Sequence, residues 1–315
     1  MRNLVVAYHP AFLAHDAGPG HPDRPERVKN VMKALKKAAW ADRVVQVKAR
    51  EAELEELAWA HNLKYVKAMR RLCEAGGEFL PGMQSAVGPE TWPAAVRAAG
   101  AGLTLADSIM KGDFRLGFAP TRPPGHHATW ERPQGFCVFN NMVVLTHYLL
   151  NKYNLERIAI IDFDVHHGNG TQAAFYSDPR VLFGSLHRAD HYPSDTSDWH
   201  DDGEGAGKGF TINVPLSAAT NDTEYLQAFD RYIIPPVTEF KPQILLVSAG
   251  FDAHQNDIIG GMKLTAKGFA GIGERIKILT DNAGEGKIIS LLEGGYDLKG
   301  LAEGVGAYFN SLMEE

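Results

Sequence analysis

Short apolar runs alternate with longer stretches of helical periodicity along this chain, and this alternation constrains its fold more than any other feature. Apolar runs of strand length occupy residues 4–8, 44–47, 116–119, 158–161, 181–185, 210–216, 244–248 and 288–292. Helical spacing occupies residues 28–39, 51–57, 62–74, 91–111, 141–153, 171–176, 222–240, 265–281 and 298–312, and Pro235 and Pro236 interrupt or end the stretch 222–240. Residues 9–25 and 76–89 are expected as loops. Strands that alternate with helices pair in parallel and bury both faces of their sheet. The pattern therefore predicts an α/β fold with a central, mainly parallel β-sheet and helices on both faces.

Length and composition narrow the classes of protein to which this chain can belong. Its 315 residues contain no linker, charge block or internal repeat, so we expect a single domain over 1–315. The net charge of -6 comes without a Lys/Arg cluster, which argues against nucleic acid as a partner. No apolar run is long enough to span a bilayer, so we expect no membrane partner. The chain is compatible with a homo-oligomer.

Cysteine usage and the N-terminus indicate a compartment. Only Cys73 and Cys137 occur, which indicates a reducing environment rather than a disulfide framework. The apolar run after Met1 is too short for a signal peptide. We therefore expect a cytoplasmic protein.

The segment 158–170 carries the strongest chemical signal. A run of apolar residues is followed by Asp162, Asp164 and His166 at alternate positions, and then by a Gly-Asn-Gly turn. Alternate side chains of an extended chain share one face, and open α/β sheets bind ligands at the carboxyl ends of their strands. The alternative is an Asp that caps the next helix beside a surface histidine. Two carboxylates and an imidazole in this spacing favour a metal site.

Three other predicted strands are followed by residues that can bind a metal, transfer a proton or donate a hydrogen bond. His126 and His127 follow the third strand, Asp252 follows the seventh and Tyr296 follows the eighth. The proline-rich loop around the histidines argues against a core role, and a chance surface pair is the alternative. Because the carboxyl ends of parallel strands meet at one edge of a sheet, we expect these groups to converge with those of segment 158–170.

Together these residues describe metal-assisted hydrolysis of an amide. Asp164, His166 and Asp252 form a three-ligand set that suits zinc and leaves one position open. Zinc lowers the pKa of bound water towards ~7 and polarises a carbonyl group. The two adjacent histidines can act as general base and general acid, and Tyr296 can donate to a developing oxyanion. Neither usual glycine-rich phosphate loop occurs, which argues against a nucleotide enzyme.

Two further features have structural interpretations. Cys137 lies in an apolar segment, so a buried thiol explains it better than a nucleophile. The loop 187–209 is acidic and can attract a cation, but a solvated loop is the preferred interpretation. Its acidic residues are Asp195, Asp198, Asp201, Asp202 and Glu204.

Five motifs occur in an order that resembles the zinc-dependent histone deacetylase family. They are RPPGHHA at 122–128, GFCVFNN at 135–141, DFDVHHGNG at 162–170, GFDA at 250–253 and LEGGY at 292–296. The chain is similar in particular to the class II branch and to bacterial deacetylase-like amidohydrolases, over nearly its whole length. The resemblance implies the arginase/deacetylase fold and a histone deacetylase-like catalytic domain. It also implies removal of an acetyl or related short acyl group from an amine.

The resemblance assigns roles to the residues at the predicted centre. It implies one zinc ion per chain, held by the two aspartates and the histidine proposed above as ligands. His126 would be an inner histidine oriented by Asp162, and His127 an outer one paired with Asn169. Asn rather than Asp at position 169 is similar to the class II pattern. Tyr296 would be the oxyanion donor, and its presence, where some members have His, predicts deacetylase activity.

The resemblance also implies a narrow tunnel for the acyl-lysine side chain. Gly135 and Phe136 would line it, with Tyr192 opposite, and Arg27 would lie near an internal channel beside the zinc. Residues 193–199 depart from the family pattern, which puts the shape of the rim on that side in question.

The family binds potassium near the zinc, and this chain has residues that match. The first site would use the side chains of Asp162 and Ser185 and the backbone oxygens of Asp164, His166 and Leu186. A second monovalent site would use the backbone oxygens of Phe175, Asp178 and Val181.

The remaining interpretations differ mainly in the class of substrate that the chain would bind. An acylated lysine peptide or protein is favoured, because polyamine-selective members can have Glu where this chain has Ile259. Against this, Glu90 would lie near the tunnel mouth, where it can hold a substrate N–H or the free ammonium of a small acylated amine. The alternatives are an acetylpolyamine deacetylase, a two-manganese ureohydrolase, which needs more carboxylates, and a non-catalytic acyl-binding module.

Overall fold

The computed structural model describes residues 3–193, 198–283 and 286–314. Its strands are β1 (Leu4–Tyr8), β2 (Val44–Lys48), β3 (Glu78–Leu80), β4 (Ser85–Val87), β5 (Leu116–Ala119), β6 (Ile158–Asp162), β7 (Val181–Arg188), β8 (Thr211–Leu216), β9 (Ile244–Ala249) and β10 (Ile288–Leu292). Its α-helices are α1 (Ala11–Ala14), α2 (Pro25–Lys37), α3 (Leu54–Ala58), α4 (Leu63–Glu74), α5 (Thr91–Met110), α6 (Asn141–Tyr153), α7 (Asn169–Phe175), α8 (Asp222–Tyr232), α9 (Ile234–Phe240), α10 (Ala266–Ala283) and α11 (Leu298–Met313). Short 3-10 helices occupy Ala41–Arg43 and Gly205–Gly207.

One parallel sheet organises the described chain. Its order is β2-β1-β5-β10-β9-β6-β7-β8, and each neighbouring pair runs parallel. Alternate side chains enter two separate cores, one beneath α4, α5 and α6 and the other beneath α2, α8, α10 and α11. In β6, for example, Ile158 and Ile160 enter the first core, whereas Ala159 and Ile161 enter the second. The predicted α/β fold with helices on both faces of a parallel sheet is confirmed.

The position of the site follows from the order of the central strands. The strands β5, β10, β9 and β6 lie side by side, and each precedes one of the loops that carry chemical groups. Their carboxyl ends therefore release His126, Tyr296, Asp252 and Asp164 at one edge of the sheet. None of the described helices combines the length and apolar character that a membrane span requires.

Several elements differ from the expectations from sequence. Residues 76–89, expected as a loop, contain the hairpin β3–β4, whose three-residue strands are too short for a clear alternation. The expected loop 9–25 contains α1. The stretch 222–240, expected as a helix that its two prolines interrupt or end, is two helices, and the prolines lie in the first turn of α9, where a missing N–H costs little.

The extended path expected through Asp164 and His166 is also wrong. Strand β6 ends at Asp162, and the next residues turn. The amide of His166 donates to Oδ1 of Asp164 at 2.9 Å, a local contact that an extended strand does not allow. The turn, rather than strand alternation, brings the two side chains together.

Gly100 lets α5 pass close to the segment after β2, and it provides a test of this packing. A Cβ there would clash with the carbonyl oxygen of Arg50 and lie 2.8 Å from the amide nitrogen of Ala52. Backbone cannot move aside cheaply, so we expect Gly100→Ala to lower the free energy of unfolding by about 1–3 kcal/mol. Urea unfolding measures the change.

Gly306→Ala in α11 is the matched control, because a Cβ at Gly306 meets nothing within 4 Å. It should stabilise the fold by about 0.5–1 kcal/mol through helix propensity alone. A similar stabilisation by Gly100→Ala would contradict the packing described for α5.

Candidate active site

Three buried side chains converge at the carboxyl edge of the sheet. Nδ1 of His166 lies 3.0 Å from Oδ1 of Asp164 and 3.1 Å from Oδ2 of Asp252. These residues form a group whose donor atoms can hold one metal ion. Tetrahedral ligands about 2.0–2.2 Å from zinc lie roughly 3.3 Å from one another, so the observed spacing suits a shared ion.

Glycine leaves the space that the two carboxylates occupy. A Cβ at Gly250 would clash with the carboxylate of Asp164, and a Cβ at Gly294 would clash with that of Asp252. Backbone amides then orient both groups. The amide of Gly294 donates to Oδ2 of Asp164 at 2.7 Å, and the amide of Val165 donates to Oδ1 of Asp252 at 2.9 Å. One oxygen of each carboxylate is thereby held while the other faces His166.

The electrostatics of this group favour a bound cation. Burial, together with the charge of Asp164, raises the pKa of Asp252 to about 7. Burial lowers the pKa of His166, but hydrogen bonds to both carboxylates outweigh it and raise the pKa to about 9. Without a cation, the cluster thus balances its negative charge with protons, which a metal ion displaces on binding. The donor types, their spacing and their charge all fit zinc.

The two adjacent histidines lie beside this group in different environments. Nδ1 of His126 is 3.0 Å from Oδ2 of Asp162, and Nδ1 of His127 is 2.8 Å from Oδ1 of Asn169. Burial lowers the pKa of His126, but nearby carboxylates, Asp162 first, raise it to about 10. Burial and the neighbouring imidazole of His126 hold the pKa of His127 well below its usual range. A carboxylate partner and an amide partner therefore separate the two histidines chemically.

Tyr296 lies on the segment after β10, at the same edge. Burial raises the pKa of its hydroxyl well above the usual range, so the group is a proton donor in hydrogen bonds. Its ring makes an edge contact with Phe136, with centroids 5.7 Å apart. The guanidinium of Arg27 lies 4.8 Å from the ring centroid and donates to the carbonyl oxygen of Gly295 at 2.6 Å. Arg27 thus packs against the ring of Tyr296 and holds the residue before it. Its location beside an internal channel stays a prediction.

The predicted tunnel residues come together around the histidines. Gly135 has a φ of 51°, and a Cβ there would clash with His127 and lie 3.0 Å from the ring of Tyr192. The rings of Tyr192 and His127 meet edge to face, 5.2 Å apart. Only glycine therefore permits this close approach, and the role of Gly135, Phe136 and Tyr192 in binding substrate stays a prediction.

The two rim residues lie in different places. Ile259 lines a cleft of about 490 Å³ that also contains Tyr296 and His21. Glu90 is exposed at the N-terminus of α5, and it is not among the residues that line this cleft. The structure therefore brings Ile259, but not Glu90, into contact with the space in front of Tyr296.

The oxygen donors predicted for potassium lie beside the centre. Asp162 and Ser185 face each other as register partners of β6 and β7, so their side chains point to the same face. Oγ of Ser185 also lies 2.9 Å from Nδ1 of His187. At the second predicted site, the carbonyl oxygens of Phe175 and Asp178 accept hydrogen bonds from the amides of Asp178 and Val181, respectively. Potassium binding stays a prediction at both places.

Cys137 and the acidic loop 187–209, for which structural interpretations are preferred, form hydrogen bonds or ion pairs with nearby residues. Sγ of Cys137 donates to the carbonyl oxygen of Gly135 at 3.3 Å, and burial raises the pKa of the thiol well above its usual range. In the acidic loop, Asp198 pairs with His200, and Asp202 pairs with Lys208. Asp195 lies outside the described residues, as does most of the segment that departs from the family pattern.

Sequence reasoning missed three residues that hold the site. Oε2 of Glu293 accepts from the amides of Gly125 and His126 at 2.7 and 3.1 Å. The ring of His191 stacks on that of His166, with centroids 4.9 Å apart. Asp257 accepts from the amide of Tyr296 at 2.6 Å. Glu293 lies inside a quoted motif, so the motif was a usable signal; the other two have no local signature.

Fold and site together define an α/β protein with a buried Asp–His–Asp group at its strand ends that can hold a metal ion. Residues 21–312 match the Histone deacetylase domain family, so the chain belongs to that family. Its structure superimposes on that titled "Crystal Structure of HDA15 HD domain" with a TM-score of 0.92 and 31% sequence identity, covering 99% of this chain and 88% of that one. The expected arginase/deacetylase fold is thereby confirmed.

Relatives by sequence carry deacetylase names. Histone deacetylase 10, chloroplastic, of Oryza sativa subsp. japonica is 39% identical over 94% of this chain and 70% of its own length. A probable deacetylase of Archaeoglobus fulgidus is 37% identical over 94% of this chain and 82% of its own. Polyamine deacetylase HDAC10 of Homo sapiens is 39% identical over 90% of this chain and 43% of its own. The chain is accordingly a hydrolase of the zinc-dependent deacetylase class, which acts on acetylated amides.

The ligand cluster predicts that metal content and activity are lost together. Asp252→Ala removes one of three donors and the charge that pairs with His166, so we expect the purified variant to contain little zinc and to be inactive. Elemental analysis and a turnover assay measure the two losses. Asp198→Ala, in the acidic loop, is the control and should keep both. Stoichiometric zinc in Asp252→Ala would show that Asp252 is not a ligand.

Proposed function

We propose that the chain removes acetyl, or a related short acyl group, from acylated lysine side chains of peptides or proteins. The observation that carries this proposal is the convergence of the Asp164–His166–Asp252 cluster with two histidines and a tyrosine at one end of the sheet. Residues 1–315 act as one catalytic domain in this proposal.

The cofactor is one zinc ion per chain. Asp164, His166 and Asp252 hold it; when bound, it supplies a water of lowered pKa and polarises the substrate carbonyl. Potassium is held in part by Asp162 and Ser185, where it offsets the buried carboxylate that orients His126. A weaker second monovalent site uses the carbonyl oxygens of Phe175, Asp178 and Val181.

The histidines hold and move the proton. His127 is neutral, and its Nδ1 is engaged by Asn169, so its other ring nitrogen is the one that accepts a proton from the attacking water and returns it to the leaving amine. Burial lowers the pKa of His126, but the carboxylate of Asp162 raises it, which favours positive charge on this ring where negative charge develops. The carboxylate of Asp162 and the amide of Asn169 therefore explain why the two histidines have different roles in this proposal.

Tyr296 supplies the hydrogen bond to the developing oxyanion. Its hydroxyl keeps its proton at neutral pH because burial raises its pKa. The contacts of its ring with Phe136 and Arg27 fix its direction before substrate arrives. Such preorganisation lets the hydroxyl stabilise charge without a reorganisation cost at the moment of reaction.

Removing that hydroxyl tests the role. We expect Tyr296→Phe to lower kcat on an acetyl-lysine peptide by roughly 10²–10³, as for other lost oxyanion donors. Zinc content and the affinity of a metal-directed inhibitor should largely persist. Tyr308→Phe is the matched control, since its hydroxyl bonds Ser290 at 3.0 Å in the core beneath α11. An unchanged kcat in Tyr296→Phe would refute the assignment.

An acetylated polyamine is the second candidate substrate. The relative named Polyamine deacetylase HDAC10 supports it, and exposed Glu90 is the carboxylate proposed to pair with a free ammonium. The cleft in front of Tyr296 argues the other way, because Ile258 and Ile259 stand where a carboxylate would be needed. Asp297 also lines the cleft, but its Oδ1 already accepts from the amide of Gly300 at 2.6 Å, and the cation Arg24 lies in the same lining. An apolar wall suits the flank of an acyl-lysine peptide better than a cation.

The comparison of kcat/KM for an acetyl-lysine peptide and for N8-acetylspermidine decides between them. We expect the peptide to be preferred in the wild type. Ile259→Glu should shift the ratio towards the polyamine by roughly tenfold, the equivalent of one charge-assisted hydrogen bond of about 1.5 kcal/mol. A clear polyamine preference in the wild type would overturn the proposed substrate. Loss of that preference in Glu90→Gln would then identify Glu90 as its cause.

A further inference from the structure

The segment 293–297, which carries Tyr296, is anchored from more than one side. Arg27 donates to the carbonyl oxygens of Glu293 and Gly295, and Oδ2 of Asp164 accepts from the amide of Gly294. These contacts hold the first half of the segment. They leave the amide of Tyr296 itself to another partner.

Asp257 is that partner. Its Oδ2 accepts from the amides of Tyr296 at 2.6 Å and Asp297 at 3.0 Å, and its Oδ1 accepts from the amide of Ile259 at 3.0 Å. The residue is only 4% exposed, so these amides replace water around its carboxylate. One side chain thus joins the loop after Asp252 to the segment that carries the oxyanion donor.

The loop that carries Asp257 is itself fixed. Its amide donates to the carbonyl oxygen of His254 at 2.8 Å. Further along, the carbonyl oxygen of Ile259 accepts from His191 at 3.1 Å, and that of Gly260 accepts from Arg188 at 3.0 Å. Charge-assisted hydrogen bonds from backbone amides to a carboxylate are short and strong. Because the loop that carries Asp257 is fixed, its carboxylate can hold Tyr296 in position.

We propose that Asp257 is a positioning residue, which places the hydroxyl of Tyr296 where the oxyanion forms. This inference rests on the proposed deacetylase function of the centre. The two hydrogen bonds that Asp257 accepts fix the backbone of Tyr296 and Asp297. The contact of the Tyr296 ring with Phe136 then sets the direction of that ring. Misplacing a catalytic group by about 1 Å can cost roughly 10²-fold in rate, so the anchor acts on catalysis through Tyr296.

Asp257→Ala tests the proposal because it removes both carboxylate oxygens. The amides of Tyr296, Asp297 and Ile259 then lose their acceptor. We expect kcat on the acetyl-lysine peptide to fall by roughly 10²-fold, with KM and zinc content nearly unchanged. In the Tyr296→Phe background the same change should cost less than about twofold, because the hydroxyl it positions is gone. An equal loss in both backgrounds would overturn the proposal.

Glu56→Ala is the matched control. Oε2 of Glu56 accepts from the amide of Glu53 at 2.8 Å at the start of α3, so this variant removes a comparable anchor on a helix that packs against α4 and α6. It should leave kcat unchanged.

Hydrogen exchange gives a readout that does not need activity. The amides of Tyr296 and Asp297 should exchange faster in Asp257→Ala, whereas that of Gly294, bonded to Asp164, stays protected. Unchanged exchange at Tyr296 and Asp297 would refute the anchor even if kcat falls. Absence of deacetylation by the wild type would refute the proposed function instead, and faster exchange would then still establish the anchor.

Discussion

The burial of Asp164 and Asp252 against one imidazole is the constraint on which the rest of the site depends. Both carboxylates are fully buried and lie within hydrogen-bonding distance of His166. Burying an ion costs several kcal/mol unless charges and hydrogen bonds compensate it. Glycines at 250 and 294 provide the room, and backbone amides hold one oxygen of each group. The three side chains form a group that can hold a metal ion, whose charge would compensate the rest of this cost.

Buried carboxylates also arrange the groups around the Asp164–His166–Asp252 cluster. Asp162 orients His126, Glu293 holds the backbone of the loop that carries both histidines, and Asp257 holds the backbone of Tyr296. In each case an acidic side chain accepts from a group of the candidate active site. Acidic residues here act as fixed acceptors, so their cost of burial is offset by bonds that place His126 and Tyr296.

Much of the fold could be predicted because the central strands are covered on both faces. Strands such as β6, β9 and β10 read as continuous apolar runs, and their bounds followed within a residue or so. Elements without that burial were missed: the strands of the hairpin β3–β4 are short and partly exposed. The split between α8 and α9 was anticipated only as an interruption, because proline ends one helix and suits the first turn of another.

The sequence alone determined which chemical groups follow which strands, since periodicity and residue type are local properties. It also predicted Asp164, His166 and Asp252 as metal donors, because carboxylates and imidazole occurred just past buried strands, and the structure brings these three side chains together. Only the tertiary structure decided which backbone amides the buried carboxylates Glu293 and Asp257 accept from. Glu293 meets the amide of Gly125 from 168 positions away, and Asp257 meets that of Tyr296 from 39. No local pattern encodes such partners, because the order of strands in the sheet, not the order in the chain, brings their loops together.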